Sequence, residues 1–239
     1  MQIRIDLKIF VFVIIFLIMK NIEIYAFLML FALIHEIGHL LCGLVLGFKP
    51  KSLNIMPYGF KLNFKINCND YNKKIKKGNM LSVKKIIVAL AGPLTNLICI
   101  LTIVLLEKNF AQNNIYKYEY IIYANILIAI FNLLPIYPLD GGKILQETLH
   151  IFIGLRKSYL VTQNATWIMV AILTAFTSIL ILIYKNIILL FAISYLWSLA
   201  YRTEKEFDFK EKIYKNIEKY TKNEGKHNLN YCKNFEKVL

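Results

Sequence analysis

The chain has 239 residues, of which 57% are hydrophobic and only 18% are charged, and its mean hydropathy is +0.51. Soluble domains carry about a quarter charged residues, so the composition excludes an ordinary soluble globule, a disordered protein and a disulfide scaffold. The net charge of +14 indicates that basic residues set the orientation of the chain in the membrane and contact anionic lipid. Because no nucleic-acid motif accompanies the basic residues, no nucleic-acid partner is expected.

Apolar runs along the chain predict an all-α polytopic membrane protein with six transmembrane helices. In chain order the runs cover residues 9–19, 24–46, 86–106, 121–139, 165–184 and 187–201. The first run is short, and Ile5 and Leu7 are expected to extend it as a retained anchor helix. Lys185 and Asn186 are predicted to form the turn between the last two helices.

Charge in the loops predicts the sidedness of these helices. Residues 49–85 hold ten lysines and one acid, whereas residues 107–120 hold two lysines and two glutamates. The positive-inside rule then places the first loop and both termini in the cytoplasm. Within the first loop, strand-like alternation on both sides of Pro57-Tyr58-Gly59 predicts a cytoplasmic β-hairpin insertion over residues 52–67.

The chain is predicted to consist of a membrane domain, residues 1–201, and a cytoplasmic tail, residues 202–239. Apolar residues at helical spacing predict an amphipathic helix over about residues 204–221. Residues 222–239 are predicted to be disordered. The amphipathic helix could contact the membrane surface or a partner, or it could simply be solvated.

The second apolar run contains the sequence His35-Glu36-Ile37-Gly38-His39, which is an HExxH motif. Residues four apart share one face of a helix, so His35 and His39 can bind one metal ion. Glu36 borders that face and can serve as a general base. The alternative is an interhelical hydrogen-bond cluster without metal.

A catalytic zinc site needs a third protein ligand, which is often a carboxylate. Asp140 is the aspartate that lies beside an apolar run with helix-breaking neighbours, in the sequence Asn132-Leu-Leu-Pro-Ile-Tyr-Pro-Leu-Asp140-Gly-Gly142. The fourth helix is predicted to bring Asp140 to the same half of the membrane as His39. Asp140 could alternatively serve as a helix cap or turn residue.

HExxH in one span and N-x-x-P-x-x-P-L-D-G-G in a later one resemble the site-2 intramembrane metalloproteases, and the match is most similar to their sporulation branch. Ala91-Gly92-Pro93-Leu94-Thr95-Asn96 resembles that family's AGP-x-x-N element. The resemblance implies one zinc ion per chain, with His35, His39 and Asp140 as ligands. It implies Glu36 as the catalytic acid/base and Asn132 as a residue near the substrate, although Asn132 could instead satisfy the backbone at the Pro135 kink.

The sporulation branch implies a membrane-associated pro-sigma factor as substrate, inhibitory membrane proteins as partners, and the outer forespore membrane as location. Members of that branch often carry a C-terminal CBS domain, and the residues after 201 are expected to be too few for one. A site-2 protease that releases another membrane-tethered regulator, and a non-catalytic metal-binding membrane protein, stay open. Asn63 and Phe64, on a hairpin edge, are the candidates for pairing with an unwound substrate.

Overall fold

The computed structural model describes residues 2–18, 22–56, 59–65, 75–110, 115–184 and 188–224. These residues form three β-strands and seven α-helices. In chain order they are β1 (Gln2–Ile5), α1 (Lys8–Ile18), α2 (Ile22–Val45), β2 (Lys49–Met56), β3 (Gly59–Lys65), α3 (Ile75–Phe110), α4 (Ile115–Leu133), α5 (Asp140–Ile153), α6 (Leu155–Tyr184) and α7 (Ile188–Glu224). The chain divides into two compact units.

Three helices within the described ranges are long and apolar enough to cross a membrane, and they cover Ile22–Val45, Met80–Leu105 and Leu155–Ile183. A shorter apolar helix covers Glu119–Leu133. Helix α1 has 11 residues, or about 16 Å of helix, which is less than the hydrocarbon thickness. The prediction of a mainly helical chain with helices long and apolar enough to span a membrane is therefore confirmed, and the count of six spans stays a prediction.

The first unit, residues 1–66 and 84–133, contains a three-stranded sheet in the order β1-β2-β3. Strands β2 and β3 pair antiparallel, with Leu53 opposite Leu62, so the predicted hairpin is confirmed. The turn at Pro57 and Tyr58 lies outside the described residues. Strand β1 pairs parallel to β2, with Ile5 opposite Ile55. The expectation that Ile5 extends the first transmembrane helix is therefore wrong, because its backbone is used in the sheet.

Small and polar side chains bring the helices of the first unit together. Phe31 on α2 packs with Ala124 and Ile128 on α4 in a buried apolar cluster. On α3, the amide of the fully buried Asn96 donates to the backbone carbonyl of Asn125, over 3.5 Å. Buried amides in an apolar environment need such partners, and this hydrogen bond links α3 to α4.

The second unit, residues 67–83 and 134–239, contains the last three helices. The fourth apolar run does not form one helix, because α4 ends at Leu133 and α5 begins at Asp140. Helix α5 was not predicted, since its mixed polar and apolar sequence lacks a long apolar run. Helix α6 begins at Leu155, ten residues before the predicted fifth span, because polar residues in its first turns are buried against neighbouring helices.

Helices α6 and α7 pack through polar and aromatic contacts. Trp167 and Trp197 meet edge to face with ring centroids 5.4 Å apart, and the amide of Gln163 donates to the carbonyl of Ala200 over 3.4 Å. Helix α7 runs without interruption from the sixth apolar run into the predicted tail helix. The turn at 185–186 and residues 225–239 lie outside the described part, and the domain boundary at 201 stays a prediction.

Candidate metal centre

His35 and His39 lie one turn apart on α2 and are both buried, with 3% and 5% of their surfaces exposed. Their Nε2 atoms are 3.0 Å apart, and their rings meet at an interplanar angle of 86°. Two imidazole ligands on a tetrahedral zinc, each about 2.05 Å from the ion, would hold their nitrogens about 3.3 Å apart. The histidine pair therefore has nearly the separation that one shared ion requires.

The other ring nitrogen of His39, Nδ1, is hydrogen-bonded to the backbone. Nδ1 of His39 lies 2.7 Å from the carbonyl oxygen of Val88 on α3. A carbonyl only accepts hydrogen bonds, so Nδ1 carries the proton and donates it. In a neutral imidazole this leaves Nε2 with its lone pair, which is the form that binds metal.

Gly92 explains why α3 can approach the histidines so closely. A Cβ at this position would meet the imidazole of His39 and would lie 2.6 Å from Cε1 of His35. One turn further along α3, the side chain of Thr95 fills the space where Gly38 of the HExxH motif lacks a Cβ. The sequence motif around Gly92 marked this segment, but it did not indicate that the glycine faces the histidines.

Glu36 is half-buried and contacts the sheet. One of its carboxylate oxygens accepts a hydrogen bond from the backbone N–H of Leu62, over 3.1 Å. Strand β3 is at the edge of the described sheet. Because the Leu62 N–H donates to Glu36, it points away from β2. The hydrogen bond brings the free edge of β3 to the residue expected to act as general base.

The side chains of Asn63 and Phe64 are used within the first unit. The amide of Asn63 donates to the hydroxyl of Ser52 over 3.1 Å. The ring of Phe64 occupies the space beside Gly43 and lies 5.8 Å from the ring of Phe48, measured between centroids. These contacts fix the hairpin on α2.

Asp140 lies in the second unit, where it is the first residue of α5 and only 3% exposed. A carboxylate at the start of a helix is favoured by the helix dipole. One of its oxygens accepts a hydrogen bond from the Lys143 ammonium over 2.9 Å. Asn132 is half-buried in the last turn of α4, in the first unit.

The loop that precedes Asp140 is packed tightly. Ile136 is fully buried, and the backbone N–H of Tyr137 donates to the Thr166 hydroxyl over 3.1 Å. The peptide bond between Tyr137 and Pro138 is cis. A Cβ on Gly142 would lie 2.6 Å from the carbonyl oxygen of Ile136, so this glycine allows the loop to fold back against the first turn of α5.

Comparison with known proteins finds similarity to metalloproteases. The family model described as Peptidase family M50 matches residues 100–176, a range that includes Asp140. Zinc metalloprotease MJ0392 of Methanocaldococcus jannaschii is 27% identical over 223 residues, which are 90% of this chain and 60% of that protein. Stage IV sporulation protein FB of Bacillus subtilis is 29% identical over 119 residues, which are 49% of this chain and 37% of that protein.

Among solved structures, the site-2 protease from Methanocaldococcus jannaschii is similar to this chain, with a TM-score of 0.62 and 23% sequence identity. The similarity covers 84% of this chain and 89% of that one. The predicted resemblance to site-2 proteases is thus confirmed, and the fold is the one seen in that enzyme. The chain spans less than two thirds of the length of each curated relative it matches.

Proposed function

We propose that this chain is a site-2-type intramembrane zinc metalloprotease, which hydrolyses a peptide bond within or near the membrane. The observation that carries the proposal is the pair of buried histidines in HExxH, whose Nε2 atoms converge to 3.0 Å while Nδ1 of His39 is held by a backbone carbonyl. That contact leaves Nε2 of His39 with its lone pair, which is the arrangement found in histidines that bind metal through Nε2. The matches to Peptidase family M50 and to a zinc metalloprotease support the same reading.

His35, His39 and Asp140 would hold one zinc ion per chain. All three are buried, and two neutral imidazoles with one carboxylate form a donor set found in catalytic zinc sites, where a fourth position stays open. When bound, the zinc would polarise the substrate carbonyl and lower the pKa of water toward about 7. A buried carboxylate needs compensating charge, which the ammonium of Lys143 already supplies in part.

Glu36 would act as the general acid and base. Its carboxylate would take a proton from the attacking water and deliver that proton to the leaving amine. The N–H of Leu62, 3.1 Å from the carboxylate, would hold one oxygen in place while the other handles the proton. Asn132 would lie near the substrate or satisfy the backbone that Pro135 exposes.

The free edge of β3 would bind the unwound substrate by adding a strand. A helical substrate hides its carbonyls in hydrogen bonds, so it must be extended locally before attack, and main-chain pairing with an edge strand stabilises that state. Phe64 would contribute through its backbone groups, because it lies two residues from Leu62 and faces the same edge. The backbone of Asn63 faces β2, so Asn63 would act by holding the hairpin through its side-chain contact with Ser52.

The substrate we favour is a membrane-associated pro-sigma factor processed during sporulation, because one curated relative is a stage IV sporulation protein. Release of another membrane-tethered regulator would use the same site. Six spans, a cytoplasmic hairpin and both termini in the cytoplasm form the topology we propose, with inhibitory membrane proteins as partners and the outer forespore membrane as location. The pairing of β1 with β2 supports a common side for the N-terminus and the hairpin.

Replacement of Glu36 by Gln tests the proposal. The variant keeps the size of the side chain and removes the carboxylate, so purified protein should retain zinc and lose cleavage of a membrane-tethered reporter by a factor of about 10² to 10⁴. Glu23→Gln, an exposed position at the start of the same helix, is the matched control and should cleave normally. Unchanged cleavage in Glu36→Gln would contradict the assignment as a protease.

A further inference from the structure

Phe207 is buried although it lies in the most charged part of α7. Only 9% of its surface is exposed, whereas 57% of Phe209, two residues later on the same helix, is exposed. The ring of Phe207 lies between two tyrosine rings, with centroids 5.3 Å from Tyr137 and 4.9 Å from Tyr159. Tilted aromatic pairs at these distances attract beyond their buried area, so α7 is fastened here by a specific contact.

Tyr137 belongs to the loop that carries Asp140, three residues further along the chain. The loop is held on one side by the hydrogen bond from the Tyr137 N–H to Thr166. On another side it is held by the close approach of Gly142 to the Ile136 carbonyl. The ring of Phe207 packs against the Tyr137 ring, so it restrains the side chain of the residue that begins this part of the loop.

Charged contacts keep this part of α7 beside α6. The guanidinium of Arg156 donates to the Glu211 carboxylate over 3.3 Å, and the ammonium of Lys210 lies 5.5 Å from the centroid of the Tyr159 ring. Both contacts lie within one turn of Phe207 along α7. They add modest attraction at exposed positions, on the same face of α7 as Phe207, because residues three and four apart share a helix face.

We propose that Phe207 is a positioning residue for Asp140 and that it acts through Tyr137. The inference rests on the proposed function, because Asp140 matters as a zinc ligand there. Residues that orient metal ligands from behind typically change metal affinity by about 10- to 100-fold when they are altered. The C-terminal helix thereby determines how firmly the metal centre holds its ion.

The experiment compares Phe207→Ala with three other variants of the full chain in detergent. Phe209→Ala removes the same side chain from an exposed position. Leu196→Ala removes a side chain that is 5% exposed on the same helix, and so controls for a general loss of packing. Phe207→Tyr keeps the ring. Each protein is loaded with zinc, the rate of zinc loss to excess chelator is measured, and amide hydrogen exchange is followed at Tyr137.

Phe207→Ala should lose zinc at least about tenfold faster than wild type, with faster exchange at the Tyr137 amide. Phe209→Ala, Leu196→Ala and Phe207→Tyr should retain zinc as wild type does, even where Leu196→Ala melts at a lower temperature. Equal zinc loss in Phe207→Ala and Leu196→Ala would overturn the positioning role. Wild type that binds no zinc would overturn the proposed function, and the exchange at Tyr137 would then decide alone whether Phe207 braces the loop.

Discussion

The imidazole of His39 donates through Nδ1 to the backbone carbonyl of Val88, over 2.7 Å. The acceptor is part of helix α3, so the tautomer of the neutral histidine on α2 is set by the position of its neighbouring helix. No substitution of the Val88 side chain removes this carbonyl. The relationship makes the packing of α2 on α3 a condition for metal binding, and it can be tested through the residues that allow the packing.

Gly92→Ala should abolish zinc binding and cleavage. The added methyl would collide with the His39 imidazole and come within 2.6 Å of Cε1 of His35, so either the rings or α3 must move. Helix propensity alone would favour the alanine by about 0.8–1.0 kcal/mol, so a loss cannot come from the helix itself. Metal analysis and reporter cleavage check the prediction. Leu97→Ala, at an exposed position on the same helix, is the control that should behave as wild type.

Leu62→Pro should reduce the rate of cleavage at least about tenfold more than Leu62→Ala does. This factor corresponds to the free energy typical of a hydrogen bond to a charged group. Both variants lose the leucine side chain, but only proline loses the N–H that the Glu36 carboxylate accepts. Because that N–H points away from β2, proline is tolerated at this edge position. Zinc content should be equal in the two variants. Equal cleavage rates would show that the Leu62 amide does not position Glu36.

Zinc should be present at one ion per chain in wild type and should be lost or weakened in both His39→Ala and Asp140→Ala. Each change removes one of the three proposed protein ligands, and the remaining two would hold the ion poorly. The same ligands should make activity sensitive to chelators and recoverable with added zinc. Glu147→Gln, which alters a different buried acid of α5, should keep its zinc. Full zinc content in Asp140→Ala would show that Asp140 is not a zinc ligand.

Low pH should weaken the exposed contact between Arg156 of α6 and Glu211 of α7. Hydrogen bonds from Lys215 and then Arg156 lower the pKa of Glu211 from its usual value of 4.5. A lowered pKa in the folded state means that the stabilisation is fully present above the unfolded value and is lost as the pH falls through the folded one. Amide exchange around residue 211 should therefore be faster in Glu211→Gln than in wild type at pH 7. The difference should vanish well below pH 4.5, whereas Asp208→Asn should match wild type throughout.

The sequence predicts the elements whose signals are local. The HExxH helix follows from a long apolar run with residues four apart on one face, and the hairpin follows from alternation around a turn. Strand β1 was missed because four residues, Gln2–Ile5, carry too little pattern. Helix α5 was missed because the search for spans favours apolar runs, and α5 carries buried Gln146 and Glu147.

Parts of the site could not be predicted from the sequence, because they are formed by backbone atoms. The Val88 carbonyl and the Leu62 N–H have no side-chain signature, yet they contact His39 and Glu36. Phe207 resembles any apolar residue of an amphipathic tail. Its contact with Tyr137 depends on a helix that returns from a distant part of the chain, which no spacing rule reveals.

The parallel pairing of β1 with β2 also constrains the order of events during synthesis. Gln2 pairs with Ser52, and Ile5 with Ile55, so the first strand of the sheet is made some fifty residues before its partner. Both α1 and α2 must leave the ribosome in the interval. The sheet can close only if the second helix returns the chain to the side from which the first departed. Closure of the sheet therefore requires that α1 and α2 are both made and that together they bring the chain back to β1.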